Sequence, residues 1–284
     1  MEMVAKPVCP GEWDRLLVCT DGSPESQGAV AEALALGRLC GSQVYVLQVL
    51  EIIPEFEAVA PDLMVRLEEE IRSQLQALKA EAAKMAVSLT TLVRRSVSVF
   101  SAILEEAAEI RPAMIIMGRY GRTGLTRLLM GSVTARVIGH SPVNVLVVPR
   151  QAIVAFGRIL VASDGSPYSL AAWEEALSMA KKADSVLFAI SVAQEEGDLP
   201  QAQKIVHQLL AAANREGVPL QGLVPTGQQI GDAIVQAALR NEVDLIILGS
   251  HGRTGLTRLL MGSVTERVIG HAPQPVLVVK RGMK

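Results

Sequence analysis

What the 284-residue chain lacks narrows its chemistry first. It has no charge excess: 27 Lys and Arg stand against 29 Asp and Glu, a formal charge of −2. The polybasic footprint of a nucleic-acid or anionic-membrane binder is therefore missing. Cysteine is scarce, with Cys9, Cys19 and Cys40 all in the first half and none in a CxxC pair. A disulfide framework or zinc site common to both halves is thereby excluded, and a reduced cytoplasm is the expected setting. No run approaches the roughly 18 apolar residues of a membrane span, and the opening MEMVAKPVCPGEWD has no apolar leader core. Familiar enzyme signatures are missing too: there is no GxxxxGK[ST], no GxGxxG, no GxSxG and no HExxH. These absences point towards binding by a soluble folded protein and away from an evident catalyst.

What is present is a repeat. Gly121 to Pro142 read GRTGLTRLLMGSVTARVIGHSP and Gly252 to Pro273 read GRTGLTRLLMGSVTERVIGHAP, which differ at two of 22 positions. Each copy follows a short apolar run, AMIIMG or DLIILG. The repeat divides the chain into two domains, 1–149 and 150–284, each long enough to bury its own core. In each half, apolar runs of strand length alternate with segments of helical spacing, which predicts a parallel sheet covered on both faces. The expected strands of the first half are Arg15–Cys19, Val44–Val49, Leu89–Val97, Ala113–Met117 and Val143–Val148, with one helical stretch from Pro54 to Val87 whose apolar positions are Leu63, Leu67, Ile71, Leu75, Leu78 and Ala82. In the second half they are Arg158–Ala162, Val186–Val192, Leu220–Val224, Leu245–Leu248 and Pro275–Val279. Asp21 and Asp164 lie 143 residues apart but Gly118 and Gly249 only 131, so the first half carries 12 extra residues. They are expected in the Pro54–Val87 stretch, where an extension could lie over a cleft.

The chemistry gathers where strands end. Ligands of open parallel sheets sit beyond the carboxyl ends of the strands. Gly118, Gly121, Gly131 and Ser132 repeat as Gly249, Gly252, Gly262 and Ser263. A strand, a glycine-rich loop and a helix opening at Gly-Ser turn free backbone N–H groups towards an anion. Glycine lets a ligand come close, and Ser132 and Ser263, each followed by a valine (Val133 or Val264), are the natural helix N-caps. Arg122 and Arg253 follow the second glycine and can offset phosphate charge. Asp21 and Asp164, in the Asp-Gly-Ser-Pro turns, can accept from a sugar hydroxyl or base amino group; an Asp there equally caps the turn. His140 and His271 fit interactions at helix carboxyl ends. His251 is matched by Tyr120, so no acid or base is common to both loops.

These residues resemble the ATP-binding branch of the universal stress protein family. Its mark is Gly, two residues, Gly, nine residues, then Gly followed by Ser or Thr. The resemblance covers nearly the whole chain as two tandem domains. It implies two doubly wound five-stranded α/β domains of strand order 3-2-1-4-5, like those of adenine nucleotide alpha hydrolases. It also implies antiparallel pairing of the fifth strands, so that the two halves form an intrachain pseudo-dimer, with or without a further homodimer. By the same resemblance Asp21 and Asp164 contact adenosine, Val49 and Val192 meet adenine through their backbones, and the glycines and serines hold ribose and phosphates of ATP, ADP or AMP, with or without Mg2+. The sequence departs from the family where Gln48 and Ser191 replace a common His before the valine, and where the first loop reads Gly118-Arg119-Tyr120-Gly121. Three functions follow: a nucleotide-binding stress regulator, a slow ATPase or phosphotransferase, and a nucleotide-independent scaffold.

Overall fold

The structure is a computed structural model that describes residues 8–121, 130–253 and 261–280. The chain forms two compact units, one built from Trp13–Ala152 and the other chiefly from Ile153–Leu256 and the segment from Gly262 on. In the first, the order is β1 (Arg15–Thr20), α1 (Pro24–Cys40), β2 (Gln43–Glu51), α2 (Pro54–Val59), α3 (Pro61–Lys84), β3 (Leu89–Ser96), α4 (Val99–Ile110), β4 (Met114–Gly118), α5 (Ser132–His140) and β5 (Asn144–Val148). In the second it is β6 (Arg158–Ala162), α6 (Pro167–Ala183), β7 (Val186–Ile190), a 3-10 turn at Glu196–Asp198, α7 (Leu199–Glu216), β8 (Leu220–Leu223), α8 (Ile230–Arg240), β9 (Leu245–Gly249), α9 (Ser263–His271) and β10 (Val276–Val279). The strands of each unit run parallel, in the orders β3-β2-β1-β4-β5 and β8-β7-β6-β9-β10. Both are the expected 3-2-1-4-5 arrangement.

Burial explains why apolar runs rather than alternation marked the strands. In β4 and β9 every residue is buried, because helices cover both faces. The crossover helices begin where the sequence signals them. Ser23 and Ser166 are extended N-caps followed by proline in the first turn, and Gly41 ends α1 at φ 68°. His140 and His271 place Nδ1 2.9 and 2.8 Å from the carbonyls of Arg136 and Arg267, at the ends of α5 and α9 as expected. Among the described residues no helix is long and apolar enough to cross a membrane.

Three details differ from the sequence reading. The stretch from Pro54 to Val87 is two helices, because Pro61 has no N–H to continue α2 and opens α3 instead. The buried stripe of α3 begins at Met64 rather than Leu63, which is 51% exposed. The 12 extra residues lie here: the six residues of α2 face only the three-residue 3-10 turn before α7, and α3 has 24 residues against 18 in α7. Lastly, β7 stops at Ile190, two residues short of Val192. Cys19 is a free thiol, pushed well above its ordinary pKa by burial and then by the Glu106 charge.

The end of β9 touches the first turn of α6 backbone to backbone. A Cβ on Gly249 would lie 2.7 Å from the Tyr168 carbonyl carbon and oxygen, and one on Gly118 would lie 2.8 Å from the Glu25 carbonyl oxygen. These glycines therefore set the spacing of sheet and helix. Gly249→Ala should lower stability by roughly 1–3 kcal/mol, the usual penalty for overpacking. A lower urea midpoint checks this, and an unchanged midpoint would show that the contact relaxes freely.

Candidate functional site

In the second unit, β6 and β9 are neighbours, but the chain leaves them on opposite sides: β6 leads through α6 to β7, and β9 leads through α9 to β10. This is the switch point where an open α/β sheet leaves a crevice. The turn after β6 is shaped by Gly165 at φ 79°. Its Asp164 accepts from the Ser166 N–H at 2.9 Å through Oδ1, and Ser166 Oγ accepts from the Ser169 N–H at 3.2 Å to cap α6. Asp164 thus holds the turn. It also reaches across to the loop after β9, where Oδ2 accepts from the Arg253 N–H at 2.8 Å. Arg253 Nε returns a hydrogen bond to the Asp164 carbonyl at 2.5 Å. The turn-capping role read from the sequence is seen here, and the same carboxylate lines the cleft.

Burial alone would raise the Asp164 pKa, but hydrogen bonds from Ser166, from the Ser169 hydroxyl and from the Arg253 N–H outweigh it, and the net direction is down. The carboxylate is therefore charged at neutral pH. Gly252 serves it directly: a Cβ there would lie 2.9 Å from Asp164 Oδ2.

The start of α9 is stapled back onto β9. Gly262 N–H donates to the Ser250 carbonyl at 3.0 Å, and Thr265 Oγ1 donates to the Gly249 carbonyl at 2.9 Å. The N-cap is Gly262 and not Ser263, which is the first helical residue and makes no side-chain capping bond. The serine expected as cap is displaced because the loop is closed through the glycine amide. The N–H groups of Ser263, Val264 and Thr265 meet no acceptor among the described residues, as a helix start requires when no side chain caps it. Among the described residues nothing demands glycine at position 262. Its φ is −68°, and a Cβ would make an ordinary 3.5 Å contact with His251 Cα. A side chain would instead stand over the open end of the helix.

The third corner is Val192. Ser191 and Ala193 donate to the carbonyls of Leu223 and Pro225, on the β8 side. Alternation along the strand turns the N–H and C=O of Val192 the other way, past the end of β6. They meet no partner among the described residues. Asp164, Val192, Gly249, Gly252, Arg253, Gly262, Ser263 and Val264 all line one open cleft of about 420 Å³. The sequence reading missed Gln194, Asp198 and Gln201, which line the same cleft from the turn before α7 and from its start. Their only signal was position, just beyond the carboxyl end of β7.

The first unit repeats much of this geometry. Asp21 Oδ1 accepts from the Ser23 N–H at 3.0 Å, and a Cβ on Gly121 would lie 2.6 Å from Asp21 Oδ2. Gly131 donates to the Arg119 carbonyl at 2.9 Å and is the N-cap of α5 at φ −65°, where its Cβ would again make an ordinary contact. Here too the cap is the glycine, and Ser132 and Val133 open the helix. Val49 is the first residue of β2 past the end of its pairing with β1, which closes at Thr20 and Gln48. Arg122 lies outside the described residues. The loop differs at Arg119, a half-buried cation where the second loop has the buried neutral Ser250.

Residues 12–149 and 155–280 each match the model of the universal stress protein family. A universal stress protein of Mycolicibacterium smegmatis is 27% identical over 288 residues, covering 93% of this chain and 96% of that one. Another, from Methanocaldococcus jannaschii, is 34% identical over 145 residues, 45% of this chain and 85% of its own. The crystal structure of a universal stress protein from Archaeoglobus fulgidus superposes over 96% of this chain and 100% of its own, with a TM-score of 0.75 at 24% identity, and so shares the fold.

Because the folded pKa of Asp164 is lowered from 3.8, its carboxylate adds stability that is present above about pH 4 and is lost as pH falls through the folded pKa. Asp164→Asn should therefore lower the urea midpoint at pH 7, and the gap from the parent should close on acidification below about pH 4. A gap that stays constant with pH would assign the loss to something other than charge.

Proposed function

Since the chain belongs to the universal stress protein family, we propose that it binds an adenine nucleotide, ATP, ADP or AMP, with or without Mg2+, in each domain. In this reading it acts as a stress-response regulator whose ligand state changes the pairing of its two domains. The observation that carries the reading is the N-terminus of α9. Three first-turn N–H groups stand behind a glycine that neither its backbone angles nor the packing of the described residues requires, in one cleft with a charged aspartate and a backbone edge that meets no partner among the described residues. Each corner matches one part of a nucleotide. Helix N–H groups and the helix dipole suit phosphate oxygens. Asp164 suits a sugar hydroxyl donor, and the N–H and C=O of Val192 suit the donor and acceptor edge of adenine. The volume is within the range of small-molecule sites. The first domain offers the same N-terminus and aspartate, with Arg119 added behind its loop.

Equilibrium dialysis with ATP, ADP and AMP tests the proposal. Ligand at 100 times its dissociation constant should stabilise the protein by about 2.7 kcal/mol. Gly262→Ala should cost under about 1 kcal/mol of stability as an N-cap change, yet weaken nucleotide binding to the second site at least about tenfold. No binding at millimolar nucleotide would end the proposal. Unchanged binding in Gly262→Ala would move the phosphate site elsewhere.

A further inference from the structure

The cleft of the second domain is chemically lopsided, and the side furthest from α9 carries information that the phosphate end does not. At the loop end are the N–H groups of α9 and the exposed Arg253. At the other end, under the start of α7, are Gln194, Asp198 and Gln201, with no Lys or Arg beside them among the described lining residues. Apolar Val192 and Ala202 lie beside them. A ligand whose anionic tail sits on α9 therefore presents its head to amides and one carboxylate, flanked by an apolar wall. A head that offers N–H donors fits these groups.

Asp198 is fixed by the backbone. Its Oδ2 accepts from the N–H groups of Gln194 at 3.2 Å and Glu195 at 3.4 Å, and Glu195 completes a reciprocal capping box. A carboxylate carries about four acceptor positions, so these two bonds leave acceptor capacity on a group whose place is set. Resting on the nucleotide reading above, we propose that Asp198 is a specificity-determining residue of the second site. It accepts from an amino group on the ligand's head and opposes a carbonyl in that place, so that a 6-amino purine is taken in preference to a 6-oxo purine. The opposition is electrostatic, since a carbonyl oxygen facing a carboxylate leaves two acceptors in contact without a proton between them.

The test compares AMP with inosine monophosphate, which differs at the head but not in the tail. It is made on the full chain carrying Gly131→Val to suppress the first domain's contribution, with and without Asp198→Asn. The parent is expected to favour AMP by about tenfold, the scale of one discriminating hydrogen bond. Asn keeps an acceptor for the capping bonds and adds a donor that a carbonyl can use. The Asp198→Asn chain should therefore melt like its parent and prefer AMP by no more than about threefold. Any preference supplied by the backbone of Val192 survives in both. Glu195→Gln, which alters the capping box but not the cleft lining, should keep the parent ratio; a ratio that falls equally in Glu195→Gln overturns the assignment to Asp198. An identical ratio in parent and Asp198→Asn, with both ligands still bound, overturns the proposal and leaves the nucleotide reading standing. Absence of binding by either ligand to the parent overturns both.

Discussion

At the carboxyl edge of each sheet, two neighbouring strands send their chains in opposite directions, and no backbone ladder can hold the parting segments together. In the second domain the tie is a side chain. Asp164 holds its own turn through one oxygen and the glycine loop through the other. Burying a carboxylate is unfavourable unless its lone pairs are satisfied, and here hydrogen bonds more than offset the desolvation, as the lowered pKa records. The position of the loop, and with it the aim of α9, follows from that tie.

The three glycines of each Gly, two residues, Gly, nine residues, Gly pattern meet three different constraints. Gly118 and Gly249 allow the sheet to touch the backbone of the helix that follows the neighbouring strand, and Gly121 and Gly252 make room for the aspartate. Gly131 and Gly262 answer to neither need: they cap a helix in a backbone conformation open to any residue, with space for a Cβ. A single spacing pattern therefore combines two requirements of the fold with one that the described residues do not impose.

Much of the architecture was legible in the sequence because local and global preferences agree. Buried parallel strands must be continuously apolar, and LIILG and MIIMG are; Ser-Pro after a strand announces a helix start, and both such helices begin there. What the sequence concealed was settled by contacts between distant residues. Nothing local in Ser132 or Ser263 says that the glycine before it will take the cap, since that follows from the loop closing on the carbonyl of Arg119 or Ser250. The break at Pro61 was readable in principle, but the apolar spacing continues across it and masked the change of helix. The polar side chains before and within α7 carry no motif, and only the folding of that segment over the end of β7 brings them into the cleft.

The near-identity of the two repeats also bears on how the chain folds. α5 and α9 differ at one residue, so either sequence would suit either cradle, and repeat proteins are prone to docking an element in its sibling's place. The same arginine finds a different neighbour in each domain. Arg136 lies 4.0 Å over the ring of Phe100, while Arg267 makes a two-point ion pair with Asp232 at 2.8 and 3.0 Å and packs against Gly231. Those neighbours lie outside the repeat, on the helix before each fourth strand. The address that sorts one copy from the other is thus written on the receiving surface and not on the helix that docks.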